Sequence, residues 1–129
     1  MLIVAVSSGI VIFAHGSSVA SANDAVRNVA EAVAAAVAIA HVETAFLEAQ
    51  PNLADAVARL VENGVNRILV VPYFLTLGIH LQRDLPALVK QLAAAHPHLK
   101  IRVTPPLDGH PALIQALLDR AGAVLSDWK

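Results

Sequence analysis

Four short β-branched runs alternate with four segments of helical period, and this alternation restricts the possible folds more than any other feature. The runs are "GIVIFA" (Gly9 to Ala14), "HVETAFLE" (His41 to Glu48), "RILVV" (Arg67 to Val71) and "KIRV" (Lys100 to Val103). After the first, from Ser21 onward, Val26, Val29, Val33 and Val37 recur at helical spacing while Arg27, Asn28 and Glu31 fall on other faces. After the second, "PNLADAVARLVENG" predicts a helix capped by Asn52, with Asp55 three residues on, Leu53, Val57, Leu60 and Val61 inward, and Gly64 as its stop. After the third, Asp84 is positioned to cap a helix burying Leu85, Leu88, Val89 and Leu92, with Pro86 in its first turn. The last segment, from about Pro111 to Ser126, places Leu113, Ile114, Leu117 and Leu118 inward.

Strand and helix in strict alternation imply a parallel sheet with crossover helices, an α/β fold. "IVIFA" and "ILVV" are apolar throughout, as central strands covered on both faces are, whereas "HVETAFLE" and "KIRV" carry the polar positions of edges. The expected architecture is a three-layer, open, four-stranded parallel sheet in the order 2-1-3-4, flavodoxin-like, with helices on both faces. Its switch point lies between strands one and three. At 129 residues the chain is expected to form a single domain, 1–129.

Composition narrows the function. The hydrophobic fraction is 57%, but the longest apolar run, Ala32 to Ala40, is nine residues, half of what a membrane span of about 18 needs. The opening "MLIVAVSSGIVIFA" has no basic residues before its apolar part and is broken by Ser7, Ser8 and Gly9, unlike a signal peptide. Met1 to Ser8 reads as a lead-in to the first strand. A net charge of −1 without long runs of either sign gives no reason to expect nucleic acid or an anionic membrane. The absence of cysteine excludes disulfides, thiolate metal sites and cysteine nucleophiles. The expected setting is the cytoplasm.

In open parallel sheets ligands bind beyond the carboxyl ends of the strands. There the sequence places His15 after strand one, Glu48 at the end of strand two, His80 in the loop after strand three, and Asp108 and His110 after strand four. Pro72 ends strand three, and Gly78 is expected to free the backbone that aims His80 over the sheet. Two imidazoles and a carboxylate suit a divalent first-row metal and proton transfer near neutral pH. Each has a plainer reading: a loop residue or cap for either histidine, a solvated strand end for Glu48, and a helix start beside Pro111 for His110. His41, His96 and His98 belong to the opposite end of the sheet. Ser17 and Ser18, at the start of the first helix, are candidates for presenting N–H groups to a carboxylate or phosphate, with simple capping as the alternative. Arg83 is a candidate partner for an anionic substrate, or for Asp84.

"IVIFAHGSS" with Asn23 downstream, "AFLEAQP" (Ala45 to Pro51) and "VVPYFLTLGIHLQRDLP" (Val70 to Pro86) together resemble the short, single-domain sirohydrochlorin cobaltochelatases and ferrochelatases. These are class II chelatases of cobalamin and siroheme biosynthesis. The match runs in order from about Ile10 to Ala116. It implies a lyase-type chelatase in which His15 and His80 are the metal-binding and catalytic pair and Glu48 adds a carboxylate. The implied substrates are a sirohydrochlorin-type tetrapyrrole and cobalt(II), iron(II) or nickel(II), with no further cofactor. Many members carry Arg where this chain has Ser18. Larger class II chelatases have two such lobes, so a homodimer with facing clefts is expected. Two other readings stand beside this: a metal or tetrapyrrole carrier using the same cleft, and a flavodoxin-like module binding phosphate at "HGSS".

Overall fold

A computed structural model of the chain describes residues 6–128, so most of the lead-in expected over Met1 to Ser8 lies outside the described residues; Ser8 itself opens the first strand. The elements are β1 (Ser8–Ala14), α1 (Ala20–Ala36), β2 (His41–Phe46), α2 (Leu53–Glu62), β3 (Arg67–Pro72), α3 (Ile79–Ala95), β4 (Lys100–Val103) and α4 (Pro111–Asp127). The sheet is parallel with the order β2-β1-β3-β4, as the strand compositions require.

Its two faces are covered unequally. Val11, Phe13, Ile68 and Val70 pack with Leu53, Val57 and Leu60 of α2 and Leu85 and Leu92 of α3 in the main core. On the other face Ile10, Ile12 and Ala30 form a smaller cluster, with Val26, Val37, Ile39, Val42 and Val71 against it. α2 begins as its sequence dictates: the Asn52 side chain accepts from the Asp55 N–H at 2.8 Å, and Gly64 follows the helix with φ +85°.

Four expectations are corrected. The third helix starts at Ile79 with Gly78 as N-cap, not at Asp84; Asp84 is inside α3, and Pro86 falls in its second turn. The break suggested by Asp84 and Pro86 is overridden because Leu81, Leu85, Leu88 and Leu92 form one stripe that packs on the core. Gly78 has an ordinary φ of −64°, so glycine's conformational freedom is not used there. β3 is not covered on both faces, since Leu69 is 37% exposed. The cause is the fourth correction. α4 does not lay its leucines on the sheet; only Leu113 is half-buried, while Ile114, Leu117 and Leu118 are exposed. No helix of the described residues is long and apolar enough to cross a membrane.

Candidate active site at the carboxyl ends of the central strands

The ladder between β1 and β2 continues past the last paired residues. Leu47 N–H donates to Ala14 C=O at 2.9 Å and Glu48 N–H to His15 C=O at 2.8 Å. This backbone register sets the two side chains beside one another, and His15 Nε2 lies 2.8 Å from Glu48 Oε2. Both are well exposed, at 58% and 65%, so the contact adds little to stability. Its consequence is orientation: a carboxylate bonded to one ring nitrogen fixes the plane of the imidazole.

Two residues hold the turn after His15. Gly16 adopts φ +86°, and a Cβ there would lie 3.0 Å from Phe46 Cβ, 3.1 Å from Ala49 Cβ and 3.2 Å from Ala49 N. Only glycine lets the chain pass this close to the 46–49 segment in that conformation. Asn23, the buried polar residue of α1, reaches back to Ser17. Its Oδ1 accepts the Ser17 N–H at 2.9 Å and its Nδ2 donates to the Ser17 carbonyl at 2.8 Å. Ser17 Oγ in turn accepts from Val19 N–H at 3.0 Å. The Ser17 N–H is therefore used internally, and Ser17 and Ser18 precede α1, whose N-cap is Val19. The positioning roles of Gly16 and Asn23 were missed in the sequence, although an amide on the inward side of an Ala/Val-rich helix was a signal for the second.

His80 is in the first turn of α3, where the sequence suggested a loop. Its Nδ1 lies 3.3 Å from an Arg83 guanidinium nitrogen, and Arg83 Nε is 3.3 Å from Asp84 Oδ1. His15 and Glu48 are thus brought together, whereas His80 pairs with Arg83. Among the described residues no group of three or more His, Cys, Asp or Glu side chains is close enough to hold a metal. His110 is accounted for as the cap of α4, its Nδ1 accepting the Ala112 N–H at 3.0 Å. Asp108 lines a cleft of about 410 Å³ with Leu75, Thr76, Leu113 and Leu117.

The surroundings of the pair are apolar. Val19, Leu47, Tyr73, Leu75 and Ile79 are all exposed, the last at 78%, and all follow the carboxyl ends of β1, β2 or β3. Phe74 anchors this loop from below, edge-on to Phe13 at 5.9 Å. Large exposed apolar side chains at the same end of the sheet as an imidazole–carboxylate pair suit a ligand with an apolar face.

The CbiX family model matches residues 9–124. The chain belongs to the CbiX family. It is 30% identical to the sirohydrochlorin cobaltochelatase of Sulfolobus acidocaldarius, over 92% of this chain and 93% of that protein. It is 31% identical to the chloroplastic sirohydrochlorin ferrochelatase of Arabidopsis thaliana, over 93% of this chain but 54% of that protein. A further cobaltochelatase, of Methanopyrus kandleri, is 36% identical over 62% of this chain and 57% of its own length. The chain therefore spans a little over half of the last two relatives. Among solved structures, the CbiX protein of Marinobacter aquaeolei VT8, described as one of cobalamin biosynthesis, superposes with a TM-score of 0.82 at 34% identity, covering 93% and 98% of the two chains. The cobalt complex of the sirohydrochlorin chelatase SirB from Bacillus subtilis gives 0.84 at 25% identity, covering 92% of this chain and 51% of SirB.

Proposed function

We propose that this CbiX-family chain is a sirohydrochlorin chelatase, a lyase-type enzyme inserting a divalent metal into the tetrapyrrole, with cobalt(II) preferred, then iron(II), then nickel(II). The observation that carries this reading is the 2.8 Å His15–Glu48 pair set within an exposed apolar rim. Relatives named for cobalt and iron insertion into sirohydrochlorin support it.

Insertion exchanges one divalent cation for two pyrrole N–H protons, so the site must deliver a metal and accept protons. His15 and Glu48 supply a nitrogen and an oxygen donor to one side of the metal, leaving the rest of its coordination to water and then to ring nitrogens. His80, on α3, takes part from beyond that pair as metal ligand or proton acceptor. Val19, Tyr73, Leu75 and Ile79 receive the face of the ring, and Arg83 meets one of its carboxylates, exchanging Asp84 for the substrate. No resident cofactor is needed. The working unit is a homodimer of single-lobe chains with facing clefts, acting in the cytoplasm on free substrate.

The test is anaerobic insertion of cobalt(II) into sirohydrochlorin, followed by absorbance, for wild type, His15→Ala and His80→Ala. Acceleration over the uncatalysed rate that is lost in both folded variants is the expected result. Ring binding without acceleration by cobalt, iron or nickel would replace the enzyme with a carrier.

A further inference from the structure

α3 opens with a histidine and an arginine one turn apart. His80 and Arg83 stand at i and i+3, so the helix itself brings their side chains together. The early start of α3 makes this possible, because a helix beginning at Asp84 would leave both in a loop. The turn is held in place. Gln82 N–H donates to Gly78 C=O at 2.9 Å, the Gln82 side-chain Nε2 donates to Leu77 C=O at 2.9 Å, and Leu81 and Leu85 pack in the core.

The contact between the two has a fixed direction. An arginine has five N–H donors and no acceptor, so Arg83 Nη2 donates to His80 Nδ1 across their 3.3 Å. That uses the Nδ1 lone pair and puts the ring proton of the imidazole on Nε2. Neither nitrogen then offers a lone pair to a metal or to a proton. His15 differs because its partner is an acceptor: with Nε2–H donating to Glu48, its Nδ1 lone pair stays uncommitted among the described residues. His80 is also apart from that pair, since no three His, Cys, Asp or Glu side chains among the described residues are close enough to share a metal.

The same guanidinium is engaged a second time, its Nε lying 3.3 Å from Asp84 Oδ1. Nε and Nη2 form one edge of the planar group, an edge that can grip a carboxylate with two parallel N–H···O bonds. Both present contacts are longer than the ~2.9 Å of a good N–H···O bond, and all three side chains are exposed, so the edge is held lightly. A ring carboxylate presenting two oxygens at once displaces Asp84 and His80 together. We infer that Arg83 is a positioning residue that masks His80 until the ring arrives: when a substrate carboxylate takes the Nε–Nη2 edge, the Nδ1 lone pair of His80 is set free. The inference rests on the chelatase reading above, in which Arg83 meets a carboxylate, and adds that the same exchange readies His80.

The tautomer can be read directly in the full-length protein. With the six histidines labelled with nitrogen-15, long-range ring correlations are recorded above about pH 8, where imidazoles carry one ring proton. His80 is assigned by the signals missing from His80→Ala. In the wild type its proton is expected on Nε2, and in Arg83→Ala the Nδ1–H population should rise several-fold. Metal-free sirohydrochlorin added to the wild type should move His80 to the Arg83→Ala position, and added to Arg83→Ala should leave it there. In cobalt insertion, Arg83→Ala should raise KM for the ring on the order of tenfold with kcat unchanged, since the variant loses the carboxylate contact but starts with His80 unmasked. Identical His80 spectra in the wild type and Arg83→Ala overturn the masking, whatever the activity. A ring that binds without altering His80, or a kcat that falls as far as kcat/KM, overturns the release and leaves the chelatase standing. Failure of the ring to bind the wild type overturns the chelatase reading and the release with it, while the comparison of the two free proteins still decides the masking.

Discussion

Replacing Gly16 by alanine tests whether the turn after His15 is as tightly fitted as its geometry requires. The φ of +86° places an L-residue in the left-handed region, at a cost of about 1–2 kcal/mol. The added Cβ meets Phe46 Cβ at 3.0 Å and Ala49 Cβ at 3.1 Å, and neither can swing away as the end of a flexible chain could. Crowding of this kind costs about 1–3 kcal/mol more, while alanine recovers roughly 0.4–1 kcal/mol by restricting the unfolded chain. The net expectation is a loss of about 2–4 kcal/mol. Gly64 provides the control, because its φ is +85° and a methyl group added there would have nothing within 4 Å of it. Gly64→Ala therefore isolates the backbone contribution, about 0.5–1 kcal/mol after the same entropic offset. In urea titrations the Gly16→Ala midpoint should fall by about 1–2 M and the Gly64→Ala midpoint by less than half of that. Equal losses from the two variants would refute the close approach as the reason for glycine at position 16.

Asn23→Ala should cost about 1–3 kcal/mol in the same titration, because it strands the Ser17 N–H and carbonyl together; an unchanged midpoint would show that water replaces both bonds without loss. Pro86→Ala tests the start of α3: with the helix beginning at Ile79 the proline is interior, and its removal should raise stability by roughly 1–2 kcal/mol, whereas a neutral or negative change in thermal midpoint would restore the later start at Asp84. Cobalt(II) titration of the free protein should lose roughly tenfold or more in affinity in His15→Ala and in Glu48→Gln, with His80→Ala affecting insertion much more than binding of the metal alone. Equal loss of metal affinity in all three variants would instead mean that His80 joins the pair before the ring arrives.

The parts of this fold legible in the sequence are those decided by local chemistry. The strand order followed from apolar central and mixed edge strands, Asn52 caps α2 and Gly64 follows it with positive φ, and His110 stands at the start of α4, the plainer of its two readings. The errors arose where a local signal opposed a longer-range one. Asp84 and Pro86 are good helix-start residues, yet a stripe of leucines from Leu81 to Leu92 packing on the core carries the helix through them. α4 is a different case. Its apolar stripe was identified, but periodicity says only that a face is to be buried, not in which chain, and the structure leaves that face open.

The same distinction applies to the site. Position along the chain was enough to bring His15, Glu48 and His80 to one end of the sheet, but it could not give the pairing, which is set by the backbone bond between residues 48 and 15 and by the turn that Gly16 and Asn23 hold. That pairing has a consequence for how a metal can be handled. A closed set of three or four protein ligands would retain its ion, as structural metal sites do. If the proposed role is right, the exposed nitrogen–oxygen pair of His15 and Glu48, with His80 bonded to Arg83 on α3, would leave most of the coordination positions to exchangeable water. Under the proposed function an ion held in that way would be passed to four ring nitrogens, and an incomplete donor set would suit transfer better than storage.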